Sequence, residues 1–120
     1  MKICVTSQGD NLDSQVDRRF GRCEYYIIAD TDTLEFETIL NPSISAMGGA
    51  GIASGQLMSE KKVEAVLTGN VGPNAFQTLQ AAGIKIFAGV SGTVKAAIEK
   101  YKKSELKATE TPSVDKKFGA

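Results

Sequence analysis

The chain has 120 residues, with 14 Lys and Arg against 14 Asp and Glu, two cysteines and no histidine. That length suits one domain and is short for two, and it allows burial of roughly two-thirds of the surface the unfolded chain exposes, so packing holds it without disulfide staples. A formal charge of zero excludes a global electrostatic hold on nucleic acid or anionic lipid, and the missing histidine excludes imidazole ligands and imidazole bases.

The opening Met1-Lys2-Ile3-Cys4-Val5 turns polar by Ser7 and lacks the apolar stretch of a signal peptide; no later run has the length of a membrane span. A cytoplasmic location is expected, where Cys4 and Cys23 are thiols and not a bridge. Residues 2 to 7 form a first strand, apolar on both faces because Cys4 also behaves as a small hydrophobe, and therefore central. Residues 8 to 18 are polar and turn-rich, longer than a hairpin needs.

Two runs rich in aromatic and β-branched side chains, 23 to 30 and 34 to 40, flank Thr31-Asp32-Thr33 and predict a hairpin. In the second of them Leu34, Phe36, Thr38 and Leu40 share one face and Glu35, Glu37 and Ile39 the other, the pattern of a strand near an edge. Asn41-Pro42-Ser43 ends it. Ala50, Ala53, Leu57 and Met58 follow helical spacing over 50 to 61. Val63 to Thr68 is a fourth strand, and Ala75 to Ala82 a short helix with Phe76 and Leu79 inward, stopped by Gly83. Ile84 to Ala88 is the last strand. Val94, Ala97, Ile98 and Tyr101 stripe a helix over 92 to 103, capped by Ser91 or Thr93. From Ser104 to Ala120 the charged, apolar-poor composition predicts a mobile tail after a single domain of residues 1 to 103.

The element order is a meander followed by two crossover units, which predicts an α/β fold with a mixed five-stranded sheet in the order 3-2-1-4-5, strand 2 antiparallel, and about three helices. The glycine-rich connections then meet at one sheet edge, where open α/β sheets bind ligands. Arg18, Arg19 and Arg22, the only arginines, fall on it, suited to multi-point anion recognition or else to pairing with Asp13 or Asp17 on a solvated turn. Gly48 and Gly49 open one helix; Gly69 and Asn70 precede another, and Gly89 follows the last strand. They are candidates for backbone anion contacts or simply for turns, and the spacing is not a dinucleotide fingerprint. Cys23 follows Arg22, whose guanidinium would favour the metal-binding thiolate, unless the thiol is a buried structural one.

Two motifs carry a family resemblance: Asp17 to Tyr26, containing Phe20-Gly21-Arg22 and the aromatic pair Tyr25-Tyr26, and Gly69-Asn70-Val71-Gly72-Pro73-Asn74-Ala75-Phe76 with Leu79 and Gly83-Ile84. In this order they resemble the dinitrogenase iron-molybdenum cofactor biosynthesis family, over about residues 1 to 103. The resemblance implies a ribonuclease H-like three-layer fold and a role in holding or carrying iron-sulfur or iron-molybdenum cluster precursors, as an accessory protein and not an enzyme. It implies cluster assembly or acceptor proteins as partners, with no nucleic acid and no membrane, and a monomer is expected. Members of the family often use histidine near this edge; with none here, Cys23 is left as the soft metal ligand. A metal-free module binding a small phosphorylated anion or a partner protein is the competing expectation. Nuclease chemistry, suggested by fold alone, is disfavoured because strand 1 carries no carboxylate and strand 4 only Glu64.

Overall fold

The computed structural model describes residues 1–42 and 50–112. Its strands are β1 (Lys2–Ser7), β2 (Tyr25–Asp30), β3 (Phe36–Leu40), β4 (Ala65–Leu67) and β5 (Lys85–Phe87), and its helices α1 (Ala50–Glu60), α2 (Pro73–Ala81) and α3 (Val94–Lys102). The sheet order is β3-β2-β1-β4-β5. β2 runs antiparallel to β1 and to β3, while β1, β4 and β5 are mutually parallel. This is the mixed α/β sheet the element order predicts, in the ribonuclease H-like arrangement.

Alternation along the strands divides the interior in two. Cys4, Tyr26, Ile28, Val66 and Ile86 face the layer of α1 and α2, where Met58, Ala75, Phe76 and Leu79 meet them. Ile3, Val5, Ile27, Ala29, Leu67 and Phe87 face α3, against Val94, Ala97 and Ile98. β1 is accordingly buried along its whole length after Lys2.

α1 sets Met58 and half-buried Leu57 inward as the helical spacing predicts, but not Ala53. Ser54, Gly55 and Met58 are buried and Ala53 is exposed, because α1 packs closely on α2 through its glycine. A methyl group on Gly55 would come within 2.6 Å of Thr78 Cγ2. Beneath this contact the Tyr26 hydroxyl donates to Ser54 Oγ. α3 is capped by Thr93, whose hydroxyl accepts from the Ala96 N–H at 3.1 Å. The ring of Tyr101 stands edge-on to Phe87.

Four strands are shorter than their predicted runs, β4 and β5 by one or two residues at each end. β3 starts at Phe36 because Leu34 takes a left-handed φ of 63°. β2 starts at Tyr25, since Arg22 lies in the preceding turn and Cys23 and Glu24 in the short link that follows it. Beyond α3 the chain returns to the sheet. The Thr109 N–H donates to the Ile86 carbonyl at 2.7 Å and Thr109 Oγ1 accepts from Ala88 N–H at 3.0 Å, while half-buried Leu106 packs against the α3-side core. The first part of the predicted tail is thus a strap along the outer edge of β5, held by the few residues in it that can pair or pack.

Candidate functional site

The long segment between β1 and β2 folds across the carboxyl ends of the parallel strands. Ser7 bridges to Val16, Gln15 to Thr93 and Arg19 to Asn70. The Asp17 N–H donates to the Thr6 carbonyl at 2.9 Å, and the Thr6 hydroxyl donates back to the Asp17 carbonyl at 2.7 Å. The Thr6 and Thr68 hydroxyls, both fully buried, lie 2.8 Å apart at the ends of β1 and β4. One rim therefore gathers the turns after β1, β4 and β5, as the predicted sheet order requires.

The arginines stand on that rim. Arg18 and Arg19 are exposed and Arg22 is half-buried. The Asp17 carboxylate accepts the Arg19 N–H at 3.0 Å and lies 4.0 Å from Arg19 Nε, so Arg19 is partly engaged by an acidic neighbour. Arg22 is framed by Asn41. The Asn41 side-chain amide, 2% exposed, donates to the carbonyls of Gly21 at 3.0 Å and Cys23 at 2.9 Å, one on each side of Arg22. In the sequence Asn41 stands before a proline and reads only as a strand stop. Its span of about 20 residues to the arginine turn leaves no local signal.

Gly69, Asn70 and Gly89 join Arg18 in one structure. The Asn70 N–H donates to the Arg18 carbonyl at 2.6 Å, Phe20 N–H to the Asn70 carbonyl at 3.1 Å, and Gly89 N–H to the Gly69 carbonyl at 2.8 Å. A Cβ on Gly69 would meet Arg18 Cα at 2.7 Å, so glycine is required there by the close approach of two backbones. Gly89 holds a φ of 76°, the region glycine adopts without strain. These bonds correct one expectation. The N–H groups of Asn70 and Gly89 are directed at carbonyls of the neighbouring turns and are not offered to an anion.

A different donor set occupies the same rim. α2 begins there with Gly72 as N-cap, no side chain caps it, and Pro73 is its first residue. The free amides and the dipole of such a helix start favour negative charge, next to a turn that carries three guanidinium groups. Gly48 and Gly49, the other predicted backbone contacts, lie outside the described residues.

Cys23 is behind the rim and not on it. It is fully buried, in the core cluster that also holds Cys4 and Tyr26. Burial pushes its thiol up to about 12, the neighbouring Tyr26 hydroxyl offsets part of that, and the Asp17 carboxylate adds to it. The thiolate that a neighbouring guanidinium would favour is thus opposed by desolvation. Cys4 is buried too, its thiol raised by the same effect and by the proximity of Cys23. Among the described residues no three His, Cys, Asp or Glu side chains come together as a metal site. A shallow hollow of about 420 Å³ between Met1, Lys85, Phe87 and Tyr101 is at the opposite end of the strands. No helix among the described residues is long and apolar enough to cross a membrane.

The sheet order, the two helical layers and the glycine-bounded rim define a ribonuclease H-like α/β domain. The chain belongs to the dinitrogenase iron-molybdenum cofactor family, whose model matches residues 1–104. It is similar to the orange protein of Desulfovibrio gigas, whose apo structure superimposes with a TM-score of 0.91 at 36% identity, covering 94% of this chain and 96% of that one. A Thermotoga protein described as NifB-like gives a TM-score of 0.79 at 37% identity, over 94% and 98% of the two chains. An uncharacterised protein of Methanocaldococcus jannaschii is 27% identical over 109 residues, 88% of this chain and 89% of its own.

Proposed function

We propose that this rim binds an anionic iron-sulfur or iron-molybdenum type cluster precursor, and that the protein serves as its carrier or accessory factor without catalysing a reaction. The observation that carries the reading is the convergence of Arg18, Arg19 and Arg22 with the uncapped start of α2, on turns locked together by Asn70, Gly69 and Gly89. Guanidinium groups and helix amides recognise a preformed polyanion from outside, without a protein sulfur. Membership in a family of cofactor-biosynthesis type and similarity to a protein whose structure is described as an apo form support a ligand of this kind. Cluster assembly or acceptor proteins are the partners this role requires.

The buried, protonated Cys23 favours a second reading, a metal-free module that takes a small phosphorylated anion on the same arginines. Anaerobic titration of the full chain with a soluble iron-sulfur cluster complex, and separately with inorganic phosphate, distinguishes them. Saturable cluster binding that survives Cys23→Ala, is lost in Arg18→Ala/Arg22→Ala and resists phosphate supports the carrier. Phosphate binding without cluster binding supports the second reading, and binding of neither overturns both. Cluster binding lost in Cys23→Ala would mean that the thiol reaches the ligand after all.

A further inference from the structure

The two edges of the sheet are treated differently. The outer edge of β5 is covered by the strap, through both bonds of Thr109. Along β3, among the described residues, no strand pairs with the outer edge. An uncovered edge presents unpaired backbone donors and acceptors to any matching strand.

Which groups point outward follows from the ladder. The Asp30 N–H donates to the Glu35 carbonyl and Asn41 N–H to the Glu24 carbonyl. With Ala29 opposite Phe36 and Tyr25 opposite Leu40, hydrogen-bonded pairs alternate so that Glu35, Glu37, Ile39 and Asn41 address β2. The N–H and C=O groups of Phe36, Thr38 and Leu40 therefore point away from the sheet. These same three residues share one face, and two of them are exposed apolar side chains, Phe36 at 42% and Leu40 at 61%.

We infer that β3 pairs with β3 of a second copy of this chain, antiparallel about a twofold axis at Thr38, joining two sheets into one. An axis there sets Phe36 opposite Leu40 of the second copy, Thr38 opposite Thr38, and Leu40 opposite Phe36. All three are hydrogen-bonded pairs, so the outward groups satisfy one another completely, and both exposed apolar side chains gain a cross-strand partner. The one charged residue inside β3, Glu37, faces Ile39 of the second copy and not its own image. It is already neutralised by Lys61 Nζ at 3.0 Å. The strand is thus self-complementary in backbone, shape and charge, as a twofold interface must be. Neither lysine nor proline occurs within β3 to block the pairing. Two five-residue strands bury less than a standard stable interface, so the association is weak and concentration-dependent. The monomer expected from the sequence is then the dilute form.

Sedimentation of the full chain over the micromolar to millimolar range tests this. The wild type is expected to rise from 12.7 kDa toward twice that mass. Thr38→Pro removes an N–H that points away from β2 and that nothing among the described residues uses, so the fold tolerates it while the two central bonds of the dimer are lost. It should hold the chain at the monomer mass. Thr38→Val, which removes only the side-chain bond to the Asp10 carbonyl, should associate like wild type. If the proline variant does not fold, Leu40→Lys serves, because two ammonium groups then flank the axis on an already exposed position. A wild type that stays at the monomer mass throughout, or a dimer that survives both Thr38→Pro and Leu40→Lys, overturns the proposal.

Discussion

Replacing Gly69 by alanine isolates the contact that locks the rim. The added methyl would sit 2.7 Å from Arg18 Cα, 2.9 Å from the Arg18 carbonyl oxygen and 3.1 Å from Arg18 Cβ. Two of these atoms are backbone and have no rotamer through which to withdraw, so one of the two turns must move. Forcing a methyl into a packed site costs about 1–3 kcal/mol. A domain of this size loses roughly 3–6 °C in melting temperature per kcal/mol, by interpolation between smaller and larger domains. Gly69→Ala should therefore melt roughly 6–18 °C lower, taking about 2–3 kcal/mol from that range. Because the shift separates Asn70 N–H from the Arg18 carbonyl, now 2.6 Å apart, the Asn70 amide should also lose hydrogen-exchange protection. Gly89→Ala is the control. Its methyl would meet nothing within 4 Å, and its cost, about 1–2 kcal/mol, comes only from holding alanine at a φ of 76°. It should melt lower while the Asn70 amide keeps its protection. A Gly69→Ala protein with wild-type melting and wild-type Asn70 exchange would refute the claim that two backbones touch at this point.

Three further expectations follow from the buried groups around the site. Asn41→Ala strands the Gly21 and Cys23 carbonyls and should cost about 2–4 kcal/mol, with Arg22-dependent anion binding weakened more than Arg18-dependent binding in double-mutant titrations. Tyr26→Phe leaves Ser54 Oγ without its donor and should cost about 1–2 kcal/mol in urea unfolding at unchanged m-value. The raised thiol of Cys23 fixes a pH dependence. Its folded value near 12 lies above the ordinary 9.0, so the stability it contributes is fully present below pH 9 and is lost as pH climbs toward 12. Raised Tyr26 works in the same direction. Melts from pH 7 to 11 should fall steeply only above about 9, and Cys23→Ala should flatten part of that fall. Equal slopes in the two proteins would contradict a neutral buried thiol.

The architecture was legible because each step to it is local. Apolar side chains on both faces of Lys2–Ser7 marked a central strand, the hairpin after it fixed an antiparallel neighbour, and right-handed crossovers left one strand order. The rim was legible as a place for the same reason. What each group does there was not, since it depends on partners distant in sequence. Asn70 and Gly89 looked like anion donors until their N–H groups were seen on the Arg18 and Gly69 carbonyls. Cys23 looked reactive because its neighbour in sequence is Arg22, whereas in space it belongs to the buried cluster that holds Cys4 and Tyr26. Asn41 gave no signal at all, being an ordinary strand-ending residue whose amide happens to reach across the molecule. Thr109 was hidden by composition. A segment nearly devoid of apolar residues gives no reason to expect a backbone pair with β5.

That pair changes how the end of the domain is drawn. The family model's match ends at residue 104, yet a protein shortened there would bare the Ile86 carbonyl and the Ala88 amide and strip Leu106 from the α3-side core. Such a fragment would carry two naked sheet margins in place of one, inviting disorderly stacking of chains. The stretch beyond that match acts as a selvedge, finishing the side of the fabric that is not meant to be sewn to anything.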